Sequence, residues 1–259
     1  MRRMYLLWSL LLVSFVVFAQ AQETIQTHSE ITKEKADSAY IDNDFATAID
    51  MYETLLETQG ESADIYYNLG SSYYKMDQIA KSILNYEKAL LLQPGDEDIR
   101  FNLELAQSKT VDKITPVREM FFVTWIRLLT NAMNEKGWSQ LAIFFFIFML
   151  LGIVLYFFSK KILLKKVGFI LAICFFLLCV VSNIFASIQK NEMLKHENGI
   201  IMAPSVTVKS TPNEKGTDLF ILHEGRKVMI KDNTMKEWKE IQLEDGNVGW
   251  IPSNVIEII

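Results

Sequence analysis

Cysteine and histidine are both scarce in this chain of 259 residues, which has two of the first and three of the second. Cys174 and Cys179 lie inside one apolar run, five positions apart on what must be a helix, so they face different directions. Neither a disulfide nor a metal pair is expected, and a disulfide-built exported domain is excluded. His28, His196 and His223 fall in three separate regions, none with a cysteine, a second histidine or paired carboxylates at metal-ligand spacing. There is no glycine-rich phosphate loop and no nucleophile elbow. No enzyme activity is expected, and no cofactor or metal. Charge is also low, at 22% of residues against 50% hydrophobic, and mean hydropathy is +0.16. That average is too apolar for an ordinary soluble domain and points to lipid-spanning runs.

The formal charge of −5 is unevenly spread. Residues 22–117 carry −10 and 198–259 carry −2, whereas 1–21 carry +2 and 118–197 carry +5. A segment at −10 repels phosphate backbones, so nucleic acid is not an expected partner. Arg2 and Arg3, an apolar stretch from Tyr5 to Ala19 and the site Ala19-Gln20-Ala21 read as a secretory signal peptide over 1–21.

Two uncharged runs, 138–158 and 167–187, are each 21 residues long. At about 1.5 Å per residue each covers roughly 31 Å, the thickness of a hydrocarbon core. Residues 159–166 between them hold Lys160, Lys161, Lys165 and Lys166. Short lysine-rich loops stay cytoplasmic, which places both flanking segments in the periplasm of a bacterial inner-membrane protein and agrees with the signal peptide. Neither span holds an acid or a base, so an anchor is expected rather than a transport path. Residues 116–137 are apolar but too polar to span. They suit an amphipathic helix in the membrane interface, or one docked on another protein's membrane domain.

Residues 29–62 and 63–96 align with a period of 34, Ala36 on Gly70, Ala48 on Ser82, Tyr52 on Tyr86 and Leu56 on Leu90. A further helix over 97–110 repeats the start of the unit without a partner. The second copy, with Tyr66, Leu69, Gly70, Tyr73, Ser82, Tyr86, Ala89 and Pro94, resembles the tetratricopeptide repeat. That resemblance implies paired helices in a domain over 22–115, closed by a capping helix, with a concave face for an extended peptide. By position, Lys33, Tyr67, Asn68, Tyr74, Phe101 and Asn102 are its candidate partner-binding residues. Of the family's carboxylate-clamp positions only Lys33 and Asn68 match, and Asp37 stands where an asparagine is usual.

After Asn198 the apolar period changes from 3.6 to 2, in short runs separated by turns such as Pro212-Asn213 and Asp245-Gly246. The runs, with Glu237-Trp238 and Gly249-Trp250-Ile251-Pro252-Ser253-Asn254, resemble a bacterial SH3-like barrel over 198–259. Trp238, Trp250 and Pro252 are its candidate contact residues, whereas Val255 replaces the groove tyrosine expected for proline-rich ligands. Relatives of this fold also contact cell-wall peptides, so peptidoglycan is a second candidate ligand.

The fold class expected is a multidomain membrane protein: an all-α tetratricopeptide repeat domain, a two-helix transmembrane hairpin and an all-β SH3-like barrel. This order resembles the protein E family of the Bacteroides aerotolerance operon. The resemblance implies a scaffold in a stress-related membrane complex, with von Willebrand A domain proteins of the same operon as partners.

Overall fold

A computed structural model describes residues 31–112 and 120–259. The expected signal peptide lies outside these residues, as do positions 116–119 of the expected interfacial segment. The repeat begins with α1 (Lys33–Ile41) and α2 (Phe45–Gln59), followed by α3 (Ala63–Lys75) and α4 (Ile79–Leu92), and then the single helix α5 (Glu97–Ser108). Side-chain caps start three of them: Thr32 accepts from the Lys35 amide, Asp44 from Thr47, and Asp96 from both Asp98 and Ile99. Asn43 and Asp77, one period apart in the turns within each hairpin, both take positive φ, which short polar side chains tolerate.

The small residues of the period sit where the paired helices approach closely. A Cβ on Gly70 would lie 2.9 Å from the Tyr86 ring. Ala36, Ala48 and Ser82 are fully buried, as are the rings of Tyr52 and Tyr86. The apolar side of α5, with Leu103 and Ala106, closes onto Ala80, Ile83 and Tyr86 of α4.

Helix α6 (Phe121–Thr130) leads into two long helices, α7 (Glu135–Phe158) and α8 (Ile162–Lys195). Both are long and apolar enough to cross a membrane. They pack as a hairpin at a glycine contact, where a Cβ on Gly152 would meet the Ala172 amide at 2.9 Å and one on Gly168 the Gly152 carbonyl at 2.8 Å. Two boundaries differ from the sequence reading. Helix α8 starts at Ile162, so Lys165 and Lys166 belong to its first turns instead of a loop. It also continues to Lys195, eight residues past the expected end of the span. Hydropathy marks where a helix is apolar, not where it stops, and the residues from Ile188 to Lys195 include good helix formers. His196, with φ 44°, ends it two residues before the sheet begins.

The sheet is antiparallel, with β1 (Asn198–Ile201), β2 (Ser205–Lys209), β3 (Asp218–His223), β4 (Lys227–Asp232), β5 (Trp238–Gln242), β6 (Val248–Pro252) and β7 (Ile256–Ile258) in the order β3-β2-β6-β5-β4-β1-β7. Every strand sends at least one side chain into a single core that includes Val208, Leu222, Ile230, Ile241, Ile251 and Ile256. The expected closed barrel is not what the pairing describes. β3 and β7 are edges of an open sheet whose one apolar face is folded over its own core.

Candidate functional site

The first helices of the units, α1, α3 and α5, carry the expected face, and the 34-residue period sets its rows: Lys33, Tyr67 and Phe101 in one, Asn68 and Asn102 beside them, Tyr40 and Tyr74 further along. Hydrogen bonds run across these helices as rungs. Asn68 Nδ2 donates to Asp37 Oδ1 at 2.9 Å, joining α3 to α1, and Asn102 Nδ2 donates to the Tyr67 hydroxyl at 3.0 Å, joining α5 to α3.

Asp37 is the hub. It also accepts from Lys33 Nζ at 2.8 Å and from the Tyr52 hydroxyl at 2.6 Å. Partial burial pushes its carboxyl upward, but the bonds from Lys33, Tyr52 and Asn68 outweigh this and hold it below the ordinary aspartate value. Lys33 and Asn68, the two matches to a carboxylate clamp, are thus both engaged by Asp37.

The tyrosines are likewise held in place. The Tyr86 hydroxyl lies 2.9 Å from Ser71 Oγ, and burial pushes its phenol up to about 12. Tyr67 is packed against Tyr86 with ring centroids 5.8 Å apart, and its phenol too is raised by burial. Tyr74 lies under Lys109 Nζ at 4.2 Å from the ring centroid. The face is most open at its outer end, where Phe101 is 65% and Leu105 40% exposed. The face therefore offers a rigid row of polar and aromatic groups ending in an uncovered apolar patch.

The other side of the repeat is occupied. Ile200 and Ile259 of the sheet domain are buried in one cluster with Ile83, Leu84 and Leu103. Around them Lys227 Nζ donates to Glu87 at 2.7 Å, while the His223 amide donates to Asp112 Oδ2 at 2.7 Å and His223 Nδ1 lies 2.8 Å from Asp112 Oδ1. Sequence reasoning missed all four residues. Nothing in a single sequence links positions more than 100 apart.

Trp238, Trp250 and Pro252 share the outer face of the sheet. Trp238 pairs with Pro252 and Glu240 with Trp250, whereas Ile241 and Ile251 point to the core. Val248, two residues before Trp250 on β6, is an exposed apolar neighbour on the same face. The four lysines 160, 161, 165 and 166 are exposed at one end of the helical hairpin, far along α7 from Trp138. Among the described residues no cluster of three or more His, Cys, Asp or Glu side chains is placed to hold a metal ion.

The family model described as Tetratricopeptide repeat matches residues 63–96, which span α3, α4 and their closing turn. No curated protein matches the chain. A tetratricopeptide repeat is therefore present, beside two helices of membrane-spanning length and a separate antiparallel sheet domain. Such repeats generally mediate contact with protein partners.

Proposed function

We propose that this protein is a non-enzymatic scaffold of the bacterial inner membrane that holds a partner protein on the concave face of its repeat. One observation carries the reading. The sheet domain covers the α4 side, while the face formed by α1, α3 and α5 keeps Phe101 and Leu105 uncovered. Resemblance to the aerotolerance operon family supplies the partner class, von Willebrand A domain proteins encoded beside it, and places both soluble domains in the periplasm. The test is co-purification of tagged chain with those siblings. Phe101→Asp together with Leu105→Asp introduces charge on exposed positions and so leaves the fold intact. Loss of the siblings supports the reading, and their full retention rejects it.

A second reading draws on the outer face of the sheet, where Trp238, Trp250 and Pro252 stand beside exposed Val248. Aromatic and apolar groups on a shallow face are suited to stacking against sugar rings or peptide. This reading makes the chain an envelope sensor that contacts peptidoglycan. Detergent-solubilised chain should then sediment with purified cell wall, and Trp250→Ala should abolish it. Failure of the unaltered chain to sediment removes this reading.

A further inference from the structure

Helix α6 presents a broad apolar side that no other described part of the chain covers. On a turn of 3.6 residues, Phe121, Phe122, Trp125, Ile126, Leu128 and Leu129 fall on one arc, with Thr124, Arg127 and Thr130 on the opposite one. Exposure on the apolar arc reaches 78% at Phe121, 69% at Trp125 and 60% at Leu128. A contiguous patch of this kind marks a surface that meets lipid or protein.

The position of the helix identifies which. The Thr130 carbonyl, at its end, accepts from Trp138 Nε1 of α7 at 2.9 Å and from Gln189 Nε2 of α8 at 2.9 Å, and Gln189 also donates to Asn131 Oδ1 at 3.0 Å. Trp138 stands edge-on to Phe185 at 4.9 Å. It marks the end of the apolar stretch opposite the four lysines, the depth at which tryptophan settles in a bilayer. Helix α6 is therefore fastened at the bilayer surface by the two long helices themselves, and its ten residues reach about 15 Å from that point. Lys136 and Lys190, next to these anchor residues in the chain, are exposed and complement anionic headgroups.

We infer that α6 lies in the plane of the lipid interface, with Phe121, Trp125 and Leu128 among the acyl chains, and acts as a strut under the repeat. The inference rests on α7 and α8 spanning the membrane. The strut bears on the repeat directly. A Cβ on Gly95 would sit 2.9 Å from the Asn131 carbonyl and 3.0 Å from that of Ala132, and Asn134 Nδ2 donates to the Leu92 carbonyl at 3.4 Å. The closing turn of the second unit thus rests on the end of α6. With α6 in lipid, the concave face is held at a constant height above the membrane, within reach of membrane-proximal segments.

The experiment uses the full chain in nanodiscs of phosphatidylcholine and phosphatidylglycerol in equal parts. Cys174→Ala and Cys179→Ala clear the background, and a nitroxide is placed singly through Phe121→Cys, Trp125→Cys, Thr124→Cys or, within α7, Ile147→Cys. Labels at 121 and 125 should collide several-fold more with oxygen than with a water-soluble nickel chelate, and the label at 124 should show the reverse. With 147 in lipid, labels at 121 and 125 that favour the chelate, or are shielded from both reagents, overturn the inference. Access of the chelate to 147 overturns instead the spanning reading on which it rests.

Discussion

Glu87 of α4 and Lys227 of β4 are 140 residues apart in the chain and 2.7 Å apart in space, with Glu87 only 6% exposed. A carboxylate so far from water needs a partner, and Lys227 of the sheet domain is one. Helix α8 runs into β1 with only two residues between them, Ile200 and Ile259 join the core of α4 and α5, and the Asp112–His223 pair ties the end of α5 to β3. The sheet domain is therefore joined to the repeat on the α4 side, which leaves the opposite, concave face to a partner.

Removing one member of that pair should cost more than removing both. Lys227→Met strands the Glu87 carboxylate and should destabilise the chain by about 1–3 kcal/mol, below the roughly 3–5 kcal/mol of a fully buried broken pair because Lys227 is partly exposed. Adding Glu87→Leu should recover most of the loss. Thermal unfolding in detergent reads both, and a double variant as unstable as the single one would show that the charge is not the cause.

Gly225 and Gly246 separate conformational cost from docking cost. Both have positive φ, 79° and 91°, so alanine is strained at either. Around Gly246 an added Cβ meets nothing within 4 Å, whereas at Gly225 it would lie 2.7 Å from Thr110 Cγ2 and 2.9 Å from Ile83 Cδ1, both in the helical domain. Gly246→Ala should cost about 1 kcal/mol. Gly225→Ala should cost about twice that or more, because it also pushes the β3–β4 turn off the repeat. Hydrogen exchange checks the distinction: faster exchange in α4 and β1 is expected for Gly225→Ala alone, and equal effects of the two substitutions would refute the docking role.

What could be read in advance follows from what periodicity encodes. A period of 34 specifies which residues share a face, so the need for a small residue at Gly70 was legible, though not that Tyr86 is what it meets, and two spans were legible from their uncharged runs. Periodicity does not say what a face meets. Lys33 and Asn68 sit on the concave face as their spacing requires, yet both are engaged by Asp37: the Lys33 contact is an i,i+4 pair within α1, whereas the Asn68 contact depends on how α3 packs against α1. The length of α8 was hidden for a related reason: its polar end lacks the hydropathy that marks a span but keeps the propensity that sustains a helix. The open sheet order also depends on pairings between strands distant in sequence, which alternation of apolar residues leaves free.

The glycine contact of the hairpin offers a test inside the apolar region. Gly168→Val would place methyl groups where the Gly152 carbonyl and the Tyr156 amide already stand at 2.8 and 2.9 Å from a Cβ. The helices must separate there, at about 1–3 kcal/mol. Leu163→Val, at an exposed position of the same helix, is the control. A drop in the unfolding temperature in detergent is expected for the first only, and no difference between the two would mean that the helices do not pack at these glycines.

Acid should act on the repeat through Asp37. Its carboxyl is held below the ordinary value of 3.8 by Lys33, Tyr52 and Asn68, so the charged form is bound more tightly in the folded chain than in the unfolded one. The sign follows: this stabilisation is complete above the unfolded value and disappears as pH falls through the lower folded value. Asp37→Asn keeps an oxygen for Tyr52 and Asn68 but loses the ion pair to Lys33. At about pH 7 it should therefore be less stable by about 1–2 kcal/mol, discounted for the partial exposure of both charges. As pH falls below 3.8 and through the lower folded value, the native carboxyl becomes protonated and the two chains should converge. Unfolding midpoints measured across this interval decide the matter, since a gap that stays constant down to the acid end would mean that the Asp37 charge contributes nothing to the fold.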